Sequence, residues 1–432
     1  MALMADARRM KPLAVIHVDA LRREYPSDWL LARRLEQAGY RAILTSRIST
    51  PHLFRVLTPQ VVILSHPFSL AIARLQRLCS RGVKVYVNDV EGALDDEACI
   101  SSTYPAGLMD YGQFAGVFVW NEWSRDWLIA NRGMDPRRIH AVGSIRNSLI
   151  STPRDRNLAP TVGILSRFEI INPFDSRHSF HNLLGLDPED EAVRWYFDRC
   201  AIDSETCSIV AKLIGILTKN GVAVSIRPHP NESIKSYRLF RQQFGSLVTI
   251  DSSYDITEWL SKVSVVVGPT STAYCEAYRA GIPIVTTEGI QKSHYSGAAR
   301  SRLITEFARA AHMPGSVAEA ATMCMDPALS AKKSAPLDEY LAEFYNLEAS
   351  QNPIERVVGL VTGGPPRQAQ PWSSATLGFA LKALIDCASL CRIGLHRHPI
   401  RSFLNMWQYD YNSVLHRPNA YMKELERRTR DA

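Results

Sequence analysis

The feature that most constrains this chain is one pattern that occurs twice. Short apolar, β-branched runs alternate with stretches of helical periodicity. In the first half the runs are Leu13–Val18, Tyr40–Leu44, Val61–Leu64, Val83–Val87, Val117–Val119 and Ile139–Val142. Helical spacing falls between them at Trp29–Ala38, Leu70–Cys79 and Trp123–Ala130. Buried strands joined through helices make a parallel sheet covered on both faces. A polar stretch, 151–160, carries a proline near each end and reads as a linker. The pattern then restarts, with strands at Val162–Leu165, Val222–Ile226, Leu247–Ile250, Val263–Val267 and Ile282–Val285. Its helices are Glu189–Asn220, with a break expected near Cys200–Ser204, then Ile256–Leu260, Tyr274–Ala280 and Val317–Met325.

A chain of 432 residues, 46% of them hydrophobic, exceeds what one core holds. The expected fold class is α/β, with two Rossmann-like domains and a helical C-terminal extension. Domain one spans 1–150 and the linker 151–160. Domain two spans 161–345, and a connector with a basic tail spans 346–432.

The net charge of +7 suits an anionic partner, whether nucleic acid, membrane surface or substrate. Outside the tail, the basic residues are not interleaved with aromatics as a stacking platform, which argues against nucleic acid. The eight cysteines include no CxxC pair and read as buried thiols of a reducing compartment rather than metal ligands. The N-terminus lacks the apolar region of a secretory signal, and no stretch approaches eighteen uncharged apolar residues. A cytoplasmic location is expected. Leu377, Leu381, Leu384, Ala388, Cys391 and Leu395 form an apolar stripe, followed by Arg397, His398, Arg401 and Trp407. This segment reads either as a closing helix against the domains or as a peripheral dock on the anionic inner face of a membrane.

Three motifs stand at strand ends, where open parallel sheets bind ligands. Arg227-Pro228-His229-Pro230-Asn231-Glu232 is stiffened by its prolines. Arg227 suits a phosphate or carboxylate and His229 a leaving phosphate, although a rigid surface turn has the same composition. Gly268-Pro269-Thr270-Ser271-Thr272-Ala273 precedes a helix and gathers hydroxyls and amides as an anion site would. Ordinary capping by Ser271 or Thr272 is the plainer alternative. Glu276 follows, placed either to bind ribose hydroxyls or to face solvent. Neither motif is a Walker A or GxGxxG sequence. Asn88-Asp89-Val90-Glu91-Gly92 supplies two carboxylates for a base or charge-stabilising role. In an extended segment Asp89 and Glu91 point the same way; in a turn they do not.

Several segments resemble the bacterial surface carbohydrate biosynthesis proteins, which have the two-domain GT-B fold. They are Asp28 with Leu30-Leu31-Ala32-Arg33-Arg34-Leu35, Gly39 to Leu44, Glu91-Gly92, Gly143-Ser144-Ile145-Arg146, and Ser166 to Asn172. His229-Pro230 and Ser271-Thr272 are similar to motifs of bacterial sialyltransferases and Kdo transferases. The resemblance implies two domains facing a central cleft. It implies a glycosyltransferase that moves an acidic ulosonic sugar from a CMP donor to a hydroxyl of a surface glycan or lipid-linked acceptor. It makes Glu91 or Asp89 the base, Glu91 favoured, with His229 acting at the phosphate. Arg227, Pro230, Gly268, Thr270, Ser271, Thr272 and Glu276 become the donor site. No Asp-x-Asp follows a strand in a convincing setting, so neither metal nor cofactor is expected. The alternative readings are a UDP-sugar or polyol-phosphate transferase, or a non-catalytic glycan-binding scaffold.

Overall fold

The computed structural model describes residues 11–46, 50, 53–54, 57–92, 95–107, 109–149, 160–173, 187, 189, 191–293, 302–346, 352–363, 422–424 and 426–427. These residues fall into two compact units. One holds the described residues up to Leu149 and those from Leu341 on, the other those from Pro160 to Tyr340. The linker at 151–159 and the apolar stripe Leu377–Leu395 with its basic sequel lie outside the described residues. No helix among the described residues is long and apolar enough to cross a membrane.

The first unit runs β1 (Leu13–Val18), α1 (Leu21–Gln37), β2 (Arg41–Ser46), β3 (Val61–Leu64), α2 (Ile72–Ser80), β4 (Lys84–Asn88), α3 (Glu97–Thr103), β5 (Gly116–Val119), α4 (Glu122–Arg132) and β6 (Ile139–Ala141). Its sheet is parallel, in the order β2-β1-β3-β4-β5-β6. Val15, Val62, Val85 and Val117 are fully buried in its core, as two-sided coverage requires. Helix α4 shows how local sequence sets its ends: Asn121 accepts the Ser124 amide at 2.7 Å, and Gly133 closes the helix with φ 59°.

The second unit runs β7 (Thr161–Leu165), α5 (Glu191–Lys219), β8 (Ala223–Arg227), α6 (Arg238–Phe244), β9 (Val248–Ile250), α7 (Ile256–Leu260), β10 (Val265–Gly268), α8 (Tyr274–Arg279), β11 (Ile284–Thr286), α9 (Arg302–Ala310) and α10 (Val317–Met325). Its parallel sheet has the order β11-β10-β7-β8-β9. Helix α11 (Ala335–Tyr345) leads back to the first unit, and α12 (Pro353–Thr362) packs there against α1. Asn352 caps α12 through the Ile354 amide at 2.9 Å, and Ile354, Val357, Val358 and Val361 form its buried face. Two Rossmann-like units followed by C-terminal helices are the GT-B-type architecture expected from the sequence.

Two local expectations need correction. Helix α1 starts at Leu21, eight residues before the helical periodicity at Trp29, because Arg22, Glu24, Ser27 and Asp28 on its first turns are buried polar groups. Helix α5 is continuous through Cys200–Ser204. Arg199 and Asp203, one turn apart, pair at 2.8 Å, and Asp203 also accepts the Ile170 amide at 3.0 Å. That polar step faces the loop after β7 and does not break the helix.

Leu213 on α5 is fully buried in the second core. Leu213→Ala is expected to destabilise the second unit by about 2–5 kcal/mol, measured by urea denaturation.

Candidate functional site

In the second sheet the chain moves from β7 to β8 and β9 on one side, then returns to β10 and β11 on the other. The order reverses between β7 and β10, and the loops that leave their C-terminal ends border the crevice where such sheets take ligands. Ser166 to Glu169 leave β7, and Pro269 to Thr272 leave β10. The loop after β8, with His229, lies beside them.

One carboxylate ties these loops together. Glu232 is completely buried. Its Oε2 accepts the Ser166 hydroxyl at 2.6 Å, the His229 amide at 3.1 Å and the Tyr237 hydroxyl at 2.5 Å. Its Oε1 accepts the Phe168 amide. Asn172 and Ser233 add a backbone bond of 3.0 Å across the same two loops. Burial pushes the Glu232 carboxyl up to about 7, against the pull of those donors.

His229 therefore stands on a fixed backbone. Its Nδ1 accepts the Asn231 amide at 3.2 Å, which leaves the proton of the neutral ring on Nε2. The Glu169 carboxylate lies 3.9 Å from Nδ1, and the imidazole is about one-third exposed. Burial raises the Glu169 carboxyl, but His229, Arg199 and Arg167 outweigh burial and hold it below its ordinary value. Arg199 donates to Glu169 at 2.7 Å, and Arg167 reaches the Thr270 carbonyl at 3.2 Å. Pro230 holds the turn that Glu232 closes onto the His229 carbonyl at 3.0 Å.

Arg227 is placed differently from the other motif residues. It is buried and pairs with Asp251, and its guanidinium also donates to the Ser253 hydroxyl at 2.9 Å. It clamps the ends of β8 and β9 together inside the fold.

The hydroxyl loop follows β10. A Cβ on Gly268 would lie 2.4 Å from the Leu165 carbonyl oxygen, so only glycine lets β10 meet the end of β7. Thr270 is buried, Ser271 half-buried and Thr272 exposed. The expected cap is not formed as read from the sequence. The residue before α8 is Ala273, without a side-chain cap, and the Ser271 hydroxyl accepts the Ala273 amide at 3.2 Å. Glu276 is half-buried on the first turn of α8.

The acidic loop belongs to the first unit and is a turn, so its two carboxylates part. Asp89 is buried. Its Oδ1 accepts the Glu91 amide at 2.9 Å and its Oδ2 the Tyr104 hydroxyl at 2.9 Å. Burial raises the Asp89 carboxyl, with His66, the Glu91 amide and Tyr104 opposing. The Glu91 side chain is half exposed and pairs with Arg23. Gly92 is required by packing, since a Cβ there would stand 2.4 Å from the Trp120 ring.

Sequence reasoning named the strand ends but missed the groups that organise them. Glu232 lay in the first motif without a role, and Ser166 and Glu169 follow directly on a strand. Their signal was position, and burial is what gives that position its meaning.

Glu232 makes stability depend on pH. Its folded carboxyl, at about 7, lies above the ordinary 4.5, so the folded state holds the proton more tightly. The contribution is complete below pH 4.5 and is lost as pH rises to about 7, amounting to about 3 kcal/mol. Asp203, raised to about 6 by burial, acts in the same direction. Urea denaturation across this range is expected to show the decline, and Glu232→Gln should flatten most of it.

No protein-family model matches the chain, and no curated protein matches its sequence. Among solved structures, the UDP-GlcNAc 2-epimerase of Methanocaldococcus jannaschii, in complex with UDP-GlcNAc and UDP, is 12% identical. It aligns with 82% of this chain and 100% of its own, at a TM-score of 0.47. The Neisseria meningitidis UDP-GlcNAc 2-epimerase bound to UDP-GlcNAc is 13% identical over 82% of this chain and 100% of its own, at a TM-score of 0.44. The wall teichoic acid polymerase TagF with CDPG is 10% identical over 82% of this chain and 88% of its own, at a TM-score of 0.46. The CMP-linked acidic sugar expected as donor is corrected here. The ligands of these structures are UDP, UDP-GlcNAc and CDPG, and the arginine expected to meet an acidic group, Arg227, is committed to Asp251.

Proposed function

We propose that the chain is a transferase whose second unit binds a UDP-sugar or a nucleotide-linked polyol phosphate. Its first unit takes a hydroxyl-bearing glycan or lipid-linked acceptor. The observation that carries this reading is the Glu232 carboxylate, which fixes the loop after β7, one border of the sheet's switch point, to the loop after β8 that carries the His229 imidazole.

In this reading the Nε2 proton of His229 is donated to the phosphate oxygen that carries the leaving negative charge. A donor prearranged on a fixed backbone needs no reorganisation as that charge develops. Thr270, Ser271 and Thr272 present hydroxyls and amides to the phosphates, and Gly268 keeps that loop close to β7. Glu276 accepts hydrogen bonds from the ribose hydroxyls. Pro230 restricts the His229 turn, while Arg227 supports it from inside and is given no ligand. Of the two acids in the first unit, Glu91 has the exposed carboxylate and is assigned the charge-stabilising role. Asp89 holds the turn.

Calorimetry with UDP, CDP and GDP is expected to show binding of a pyrimidine nucleotide in preference to GDP; equal or absent binding of all three would overturn the reading. His229→Ala should remain folded and lose about 2–4 kcal/mol of transition-state stabilisation, read from kcat with saturating donor. Interconversion of UDP-GlcNAc in the absence of any acceptor would identify an epimerase in place of a transferase.

A further inference from the structure

The parallel register of the first sheet continues past its strand ends. β1 pairs with β3 through Ile16 and Ile63, and β3 pairs with β4 through Leu64 and Val87. Extending the first pairing by three residues and the second by two sets Asp19, His66 and Asp89 in one row. The row crosses the C-terminal edge of the sheet where β1 and β3 adjoin. The chain leaves β1 for β2 on one side and comes back to β3 on the other, so this is the switch point of the first unit.

The side chains bear out the row. His66 Nε2 lies 4.0 Å from Asp19 Oδ2, with the imidazole about one-fifth exposed and the carboxylate less so. Asp89 is near enough for an imidazolium at His66 to favour its ionised form. Among the described residues no hydrogen bond holds the imidazole ring. The backbone around the pair is nonetheless fixed. Glu24 accepts the Asp19 amide at 2.8 Å and the Ser65 hydroxyl at 3.0 Å, and the His66 amide donates to Ser69 Oγ at 3.0 Å. The other charged groups at this edge are Arg23, which pairs with Glu24 and Glu91, and those two carboxylates.

We propose that His66 is the proton acceptor of the transfer reaction, with Asp19 as its positioning residue; the inference rests on the transferase reading above. Asp89 has both oxygens occupied inside the fold, and Glu91 is paired with Arg23. His66 is the group at this edge with a partly exposed imidazole that no hydrogen bond occupies among the described residues. As the acceptor hydroxyl attacks, its O–H bond breaks and the proton passes to the imidazole. The new bond forms from the acceptor oxygen to the anomeric carbon of a sugar, or to the phosphorus of a polyol phosphate. The bond to the leaving nucleotide breaks, and its electron pair departs on the nucleotide phosphate oxygen. Asp19 and Asp89 flank the imidazolium so formed.

The test uses the full chain with UDP-GlcNAc and CDP-glycerol as donor probes and excess glycerol as a generic hydroxyl acceptor, following nucleotide release. His66→Gln is expected to lower kcat by about 10²–10⁴-fold while leaving the donor KM and the calorimetric affinity for UDP or CDP unchanged. Added imidazole should restore part of the rate to His66→Ala, which a packing role would not allow. Asp19→Asn should lower kcat by a smaller factor at unchanged KM. If the unaltered protein turns over and His66→Gln matches it, the role of His66 falls and the donor reading stands. If the unaltered protein binds no nucleotide and releases none, the donor reading falls and the role of His66 with it. Should both His66 variants unfold by circular dichroism, an unchanged kcat in Asp19→Asn overturns the proposal.

Discussion

The arrangement of the second unit depends on one buried carboxylate. Glu232 gathers the Ser166 hydroxyl, the Phe168 and His229 amides and the Tyr237 hydroxyl. Taking a carboxylate out of water is unfavourable unless donors replace the lost solvent, and here four protein donors do so. Their number also explains what the group accomplishes. Two loops that leave neighbouring strands would otherwise be free to separate, and the carboxylate makes them one rigid surface with His229 upon it.

The first unit repeats the device with a different residue. Glu24, on the opening turn of α1, accepts the Asp19 amide, the Ser65 hydroxyl and the Arg23 guanidinium. Asp19 follows β1 and Ser65 follows β3, so this carboxylate joins the two loops that flank the reversal of strand order, whereas Glu232 joins the loops of β7 and β8 on one side of it. In both units a buried acid sits where the sheet leaves a crevice, and the more accessible polar groups, His229 and His66, are carried on the loops it fixes. Buried acids of this kind are structural, and the chemistry falls to their neighbours.

Close packing decides two of the glycines that drew notice in the sequence. Gly92 completes the acidic motif, yet the Trp120 ring fills the space a side chain would need. Gly268 opens the hydroxyl loop because the Leu165 carbonyl occupies its Cβ position. Each glycine serves the approach of two chain segments, and each site inherits its shape from that approach.

The sequence by itself determined the alternation of strands and helices, the two-unit division and the placement of the His229, Thr270 and Glu91 motifs at strand ends. Apolar periodicity carries that information because burial on two faces repeats along the chain. What it did not carry was which polar residues turn inward. Arg227 and Asp89 read as site residues, and the tertiary structure commits them to Asp251 and Tyr104. Glu232 and His66 carried no such signal, and register and burial give them their place. A charged residue at a strand end has the same local sequence whether it faces solvent or a buried partner. Only the pairing of distant strands brings that partner within hydrogen-bonding reach, and so only the tertiary structure could decide between the two.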